Sequence, residues 1–324
     1  MDYGGVAEHV FGFKARVLVD FMVAATQFSF AMCLITYITT AGKSVVYQLG
    51  GGDHSVWTIA WFMMCIVLPL ALIRNVARLA FTYTLGVTCI FSTVCVVTII
   101  LTLHFFSDRE KWGKNLEAIN PNTYMSFVGF SVYSYEGIGC VLPIMQKCAL
   151  PEQFHRILLS VIIFLTVIYV GFGEACLFYL GSDLKYNFIT QELNQKSWPV
   201  ITIQCAMIVN LLVSYSIMIH PFNQILEKAV FSPIKDKEAN KSFMYHCQTV
   251  MRIIILLIAS YCAITLQKQL AVFVAILGAL LCAPLAITMP IALHLKHKAV
   301  STKDKVLDWF LIIVSILALI LSTY

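Results

Sequence analysis

Residues 123–145 read TYMSFVGFSVYSYEGIGCVLPIM, an apolar stretch of membrane-spanning length that carries one carboxylate, Glu136, between its apolar halves. Gly137 and Gly139 follow that carboxylate. Glycines let a helix open and expose backbone N–H and C=O groups, which at bilayer depth is tolerated only where they line a cavity or face protein. An ionisable group there costs about 3 kcal/mol on insertion scales and marks a candidate functional site. The stretch predicts a solute site inside a membrane. The alternative is an ordinary span that the glycines make more flexible and in which Glu136 pairs with a neighbouring helix.

The composition is that of a polytopic membrane protein. Of the 324 residues, 60% are apolar and 12% are charged, and the mean hydropathy is +0.83. Charged residues are bunched between long apolar runs, as they are when loops and spans alternate. The sequence therefore predicts an all-α integral membrane protein with residues 1–324 in one transmembrane domain. Nine runs are long enough to cross a bilayer as helices, at residues 17–39, 56–73, 80–106, 123–145, 157–181, 198–220, 247–266, 270–294 and 307–322.

The basic residues predict the orientation, because cytoplasmic loops carry an excess of Lys and Arg. Most of the 22 basic residues lie in segments on the same side of the membrane as the N-terminus. We therefore expect a cytoplasmic N-terminus and, after nine crossings, a C-terminus that is extracellular or lumenal. The net charge of +5 follows from this topology, and no nucleic-acid partner is inferred from it.

Further polar side chains fall at membrane depth in two other runs. In the first run, Thr26 and Phe30 share one helical face, which suits the wall of a pocket for a zwitterionic solute. In the sixth run, Asn210 and Ser214 lie one helical turn apart, with Tyr215 beside them. Contact between neighbouring helices is the competing interpretation for both groups.

Glu174 is the other acidic residue that lies well inside a predicted span, and Gly171 and Gly173 precede it. A proton relay or gate is one interpretation of this carboxylate. A water-facing vestibule that satisfies it without any transport role is the other. The sequence has no metal-ligand cluster, phosphate-binding glycine loop or nucleophile–base constellation, so neither a cofactor, a metal nor an enzyme is indicated.

Four stretches resemble a known family. FVGFSVYSYEGIGCVLPIM, at residues 127–145, is similar to the F-x-F-E-G-I-G-x-x-L-P stretch in the sixth span of the amino acid/auxin permeases. The resemblance is strongest to their proton-coupled amino acid transporter branch. It is supported by VAEHVFG at 6–12, AATQFSF at 24–30 and IRNVARL at 73–79, and it runs over nearly the whole chain.

The resemblance implies an eleven-span protein of the LeuT-like inverted-repeat fold, in which two five-helix repeats enclose a site near the bilayer midplane. The nine runs here look like the third to eleventh spans of that fold. We therefore expect an N-terminally truncated form, either a fragment or a shortened relative. Because the family forms half of its site in the first spans, we expect residues 1–324 to transport poorly when expressed alone.

The function implied by the resemblance is secondary active transport of amino acids, by proton-coupled symport, in a plasma membrane or a vacuolar or lysosomal membrane. Rocking of one helix bundle against scaffold helices would give alternating access. The partners expected are an amino acid, a coupling proton and membrane lipid. A non-transporting amino acid sensor, a channel and coupling to Na⁺ remain alternatives.

The residues expected to form the substrate site are the opened backbone of the fourth run and the polar or aromatic side chains near it. They are Thr26, Phe30, Phe130, Ser131, Ser134, Glu136, Gly137, Gly139, Asn210, Ser214 and Tyr215. Glu136 and Glu174 are the candidates for proton coupling or gating.

The predicted topology can be tested by cysteine labelling. A cysteine beside Lys237 should react from the cytoplasmic side and one beside Lys114 from the opposite side, because an excess of basic residues marks cytoplasmic loops. A membrane-impermeant thiol reagent applied to sealed vesicles of either orientation measures this. Labelling of both positions from one side would contradict the nine-span arrangement.

Overall fold

The computed structural model describes residues 3–74, 80–107, 116, 120, 123–137, 141, 144–145, 148–181, 184–232, 241–297 and 301–323. Within these ranges the regular secondary structure is helical and contains no strand, which confirms the predicted all-α class. Gly139 and the two topology markers, Lys114 and Lys237, lie outside the described residues.

The helices are named in chain order. They are α1 (Tyr3–Phe11), α2 (Phe13–Gln48), α3 (Val56–Ala71), α4 (Ala80–Ser107), α5 (Tyr124–Ser134), α6 (Phe154–Leu180), α7 (Ile189–Glu192), α8 (Trp198–Phe231), α9 (Lys241–Thr265), α10 (Leu270–Leu277), α11 (Met289–His297) and α12 (Thr302–Thr323). Two π-helical turns, Gly278–Cys282 and Pro284–Thr288, join α10 to α11.

Each of the nine apolar runs is helical in whole or in part. By length and composition, six segments of the described chain can cross a membrane: Phe13–Gln48, Thr84–Leu103, Pro151–Leu180, Trp198–Phe231, Ser242–Thr265 and Gln267–Lys296. Several helices extend beyond the predicted runs, because hydropathy detects only the part inside the hydrocarbon core. α2, for instance, continues to Gln48, nine residues past the predicted end at Thr39.

The chain divides into two compact units. Unit 1 comprises Met1–Ser29, Glu117–Ile168 and Gln269–Tyr324, and unit 2 comprises Phe30–Leu116 and Tyr169–Lys268. The two long helices α2 and α6 each contribute one part to each unit. Unit 1 contains α5 and therefore the carboxylate of Glu136, whereas unit 2 contains the predicted residues of α8.

In unit 2, α4 packs along α8, and α3 packs against α8 and α9. A buried charge joins three of these elements. Arg252 of α9 is only 4% exposed, and its guanidinium donates to the carboxylate of Glu227 on α8 at 2.7 Å. The same guanidinium donates to the carbonyl of Ile73, just after α3, at 3.4 Å. Because the carboxylate compensates the buried cation, removing either partner would leave an unpaired charge at this junction.

In unit 1, α5 packs against α10 and the first π turn, and the two backbones meet directly at Gly129 and Gly278. A Cβ atom added to Gly278 would overlap the carbonyl oxygen of Gly129, and one added to Gly129 would overlap the carbonyl oxygen of Ala275. Small residues commonly permit this kind of close approach between membrane helices. The glycines therefore determine how closely α5 lies to its neighbour.

The eighth apolar run, predicted as one helix, is interrupted by the two π turns. In these turns the N–H of Ala283 donates to the carbonyl of Gly278, and the N–H of Met289 donates to the carbonyl of Pro284. Each bond reaches back five residues instead of four, which fits one extra residue into the turn. Pro284 has no N–H of its own, so regular α-helical bonding is already broken at this position.

The close approach of α5 and α10 predicts that replacing a glycine at this contact lowers thermal stability more than replacing a glycine elsewhere. Gly278→Ala should lower stability by about 1–3 kcal/mol, because the added methyl group has no space. Gly173→Ala is the matched control, since no atom of the described residues lies within 4 Å of its added Cβ. The melting temperature in detergent measures both. Equal effects of the two substitutions would show that the contact contributes little.

Candidate functional site

The fourth apolar run is not one continuous helix. The last α-type bond of α5 runs from the N–H of Tyr135 to the carbonyl of Ser131 at 3.2 Å. The N–H of Glu136 then closes a tighter turn onto the carbonyl of Tyr133, also at 3.2 Å. Glu136 and Gly137 lie outside the helix. The helix thus opens within the stretch where the glycines predict it.

Glu136 lies just after the end of α5, and its carboxylate is shielded from solvent. Both of its carboxylate oxygens are buried. The last carbonyls of a helix have no partner inside the helix, and the macrodipole gives that end a partial negative charge. The carboxylate of Glu136 adds to this negative potential. The end of α5 is therefore suited to a cation, such as an ammonium group, a proton or a metal ion of low charge.

Gly137 lies beside open space. No atom of the described residues lies within 4 Å of the position that its Cβ would occupy. The residue is also exposed, unlike the tightly packed Gly129, which lies in α5 itself. Among the described residues, no side chain stands between a small ligand and the backbone at this position.

The two serines of α5 bond to their own helix. The hydroxyl of Ser131 donates to the carbonyl of Phe127 at 2.8 Å, and that of Ser134 donates to the carbonyl of Phe130 at 2.9 Å. Both oxygens keep lone pairs with which to accept a hydrogen bond. Phe130 is 43% exposed, so its ring does not form part of the packed core of unit 1.

Thr26 is a packing residue of α2 within unit 1. Its side chain is fully buried, and its hydroxyl bonds to carbonyls of the preceding turn, those of Met22 and Val23, at 3.0 and 2.9 Å. The hydroxyl proton is therefore already engaged inside α2. This arrangement favours the helix-contact interpretation of Thr26 over the pocket-wall interpretation.

A buried hydrogen bond between Ser29 and Tyr133 joins α2 to the last turn of α5. The hydroxyl of Ser29 donates to the carbonyl of Thr26 at 2.6 Å and lies 3.2 Å from the hydroxyl of Tyr133. Because the Ser29 hydroxyl has a single proton, Tyr133 is the donor in the second bond. Tyr133 lies three residues before Glu136, so this bond positions the helix end that carries the carboxylate.

The predicted residues of unit 2 are mostly packing residues there. Asn210 is buried, and its side-chain oxygen lies so close to Gly86 of α4 that a Cβ on this glycine would overlap it. Ser214 is 3.5 Å from that oxygen. Within the described chain, neither the amide nitrogen of Asn210 nor the hydroxyl of the fully buried Tyr215 has a hydrogen-bond partner.

Two further candidates of unit 2 differ in exposure. Phe30 is half-buried in α2, whereas Glu174 lies exposed on α6. An exposed carboxylate needs water or lipid headgroups close by, which fits the vestibule interpretation as well as the relay. The binding roles expected of all these unit 2 residues stay predictions.

Sequence reasoning missed three residues that hold the end of α5: Ser29, Gly129 and Tyr133. All three lie in stretches that carry the family resemblance. Gly129 and Tyr133 are four residues apart and therefore share one face of α5, on which a close helix contact is plausible. No signal in the sequence points from Tyr133 to Ser29, because the bond joins residues more than a hundred positions apart.

The comparison with known proteins gives one family and several relatives. A family described as transmembrane amino acid transporter protein matches residues 1–324. Vacuolar amino acid transporter 3 of Schizosaccharomyces pombe is 22% identical over 99% of this chain and 48% of its own length. The protein of the same name in Saccharomyces cerevisiae is 24% identical over 92% and 43%. Amino acid transporter ANT1 of Arabidopsis thaliana is 23% identical over 99% and 76%.

All three relatives are transporters by name and none is an enzyme. This chain spans about half the length of the vacuolar relatives that it matches.

A double-mutant cycle tests the bond between Ser29 and Tyr133. Tyr133→Phe and Ser29→Ala should each lower the unfolding free energy by about 1 kcal/mol, and the double variant should lose less than the sum. The control is the exposed bond from Tyr135 to Thr166, 2.9 Å long. Its cycle should show weaker coupling, because the exposed side chain of Tyr135 loses more rotamer freedom in forming its bond than the buried side chain of Tyr133 does. Additive losses at Ser29 and Tyr133 would contradict the proposed role of this bond.

Proposed function

Because the chain belongs to the transmembrane amino acid transporter family, which it matches along its whole length, we propose that it carries amino acids across a membrane by proton-coupled symport. The observation that supports this most directly is the interruption of α5, which leaves Glu136 and Gly137 outside the helix. A shielded carboxylate at an open helix end can hold a cation that must later leave.

The chemistry of the helix end favours separate places for the two cations of a symport. We assign the coupling proton to the carboxylate of Glu136, because an ionised carboxylate is expensive at membrane depth and protonation neutralises it. We assign the ammonium group of the amino acid to the carbonyls at the end of α5, whose dipoles do not change with pH. Open space beside Gly137 leaves room for the substrate backbone.

Glu174 is the second carboxylate that we consider for proton coupling. It is exposed on α6, so its ionised form can be hydrated without a partner. This makes it a weaker candidate than Glu136, whose carboxylate oxygens are shielded from solvent. We propose that Glu174 contributes to the approach of the proton and not to its binding.

The relatives named as vacuolar transporters support a vacuolar membrane as the location. An acidic lumen would supply the proton gradient that a symporter needs. We propose that the protein moves amino acids out of such a compartment together with protons, with the N-terminus in the cytoplasm.

The experiment is amino acid release from sealed vesicles that contain the protein expressed from its complete transcript. Vacuolar vesicles and plasma-membrane vesicles are loaded with labelled amino acids and compared across a range of lumenal pH. In the wild type, release from the vacuolar vesicles should rise as their lumen becomes more acidic. Glu136→Gln keeps the size of the side chain but removes its titration, so release should no longer respond to pH.

Two carboxylate variants serve as controls. Glu152→Gln alters an exposed residue of the turn before α6 and should transport as the wild type does. Glu174→Gln should slow release while leaving its pH response. If Glu136→Gln keeps a normal pH response, the proton is not on Glu136. Substrate binding without flux in the wild type would favour the sensor over the transporter.

A further inference from the structure

The first residue of α1, Tyr3, bonds to a residue far along the chain. Its hydroxyl donates to the carbonyl of Leu285 at 2.9 Å, inside unit 1. Tyr3 is 7% exposed and Leu285 is fully buried. Burial raises the pKa of the Tyr3 phenol well above its ordinary value, so the group keeps its proton and remains a donor.

The carbonyl of Leu285 needs this donor because it lies in a π turn that is followed by Pro290. In the π winding it would accept from the backbone nitrogen of residue 290, and a proline has no N–H there. In a regular α-helix, that carbonyl would accept the N–H of Met289, four residues later. Here the N–H of Met289 donates to the carbonyl of Pro284 instead. A buried carbonyl without a partner is costly, and nearly all such groups in native proteins are paired. The hydroxyl of Tyr3 takes the place of the missing backbone donor.

The other end of α1 is also held within unit 1. The ammonium group of Lys296, in α11, donates to the carbonyl of Val10 at 2.7 Å and lies 4.6 Å from the centre of the Phe11 ring. Glu8 forms an ion pair with Arg16 at the start of α2. These exposed or half-buried contacts hold α1 in place, but they do not involve the π turns.

We propose that Tyr3 is a positioning residue that holds residues 284–288 in the π winding. Through this bond, α1 would stabilise the span that contains α10 and the π turns, against which α5 packs. Without the Tyr3 hydroxyl, the carbonyl of Leu285 would regain the N–H of Met289, and the turn would become α-helical. That change removes one residue from the turn and rotates the preceding segment by about 100° relative to α11. The contact between Gly278 and Gly129 would then separate, and the end of α5 would move.

The test is Tyr3→Phe, which removes the hydroxyl and keeps the ring. N-ethylmaleimide labelling followed by peptide mass spectrometry measures the reactivity of Cys282, a fully buried free thiol in the first π turn. Buried thiols are normally inert, so labelling reports opening of the turn. A cysteine introduced at the half-buried Val132 reports the end of α5 in the same way. Cys176, buried in unit 2, is the internal reference.

Two control variants separate this role from simple attachment of α1. Tyr47→Phe removes a hydroxyl from an exposed tyrosine of α2, and Lys296→Met removes the bond at the far end of α1. Neither should change the labelling of Cys282 or of the cysteine at position 132. Labelling is measured without substrate, so its outcome does not depend on the proposed transport.

We expect Tyr3→Phe to label Cys282 roughly tenfold faster than the wild type, which corresponds to about 1.4 kcal/mol for one lost buried hydrogen bond. The cysteine at position 132 should also react faster, and Cys176 should not change. Unchanged labelling of Cys282 would overturn the proposal, as would an equal increase in Lys296→Met. A parallel increase at Cys176 would overturn it too, because Tyr3 would then support the fold as a whole. Unchanged labelling at position 132 would overturn the coupling to α5.

Discussion

The direct contact between the backbones of Gly129 and Gly278 is the interaction on which the rest of unit 1 depends. Apolar side chains gain little by leaving lipid for one another, so membrane helices rely on close backbone approach and on hydrogen bonds between helices. At these two glycines no side chain separates α5 from the first π turn. The contact lies less than two helical turns before the end of α5 at Ser134. It therefore determines where the open helix end can lie in unit 1.

The open end of α5 is held firmly before the break, while an open space lies beside Gly137. The bond from Tyr133 to Ser29 holds the last turn of α5 against α2, and the glycine contact holds the turn before it. In the proposed function, a cation at the end of α5 would meet carbonyls whose positions are fixed in advance, so little ordering energy would be lost when it binds.

The positions of the helices and the break in α5 were predictable because their signals are local. Apolar runs reveal spans, and a carboxylate followed by glycines indicates where a span opens. The π turns were not predictable, since the winding around Pro284 depends on a donor from Tyr3, which precedes it by most of the chain. Nor could residue type show that the hydroxyls of Thr26, Ser131 and Ser134 bond to their own helices. A hydroxyl in a membrane helix has both choices, and only the neighbouring helices decide between them.

The π turns have a consequence for how this span changes through insertion and deletion. A π turn contains one residue more than the α turn that it replaces. A one-residue insertion can therefore be accommodated inside the helix, and the neighbouring loops keep their length. Loss of a single residue between Pro284 and Thr288 would give this turn the α winding, in a span that still crosses the bilayer. The carbonyl that now accepts from Tyr3 would then have a backbone donor, and a tyrosine at position 3 would lose its partner. In an alignment of relatives, a one-residue gap here and the residue type at position 3 should therefore vary together.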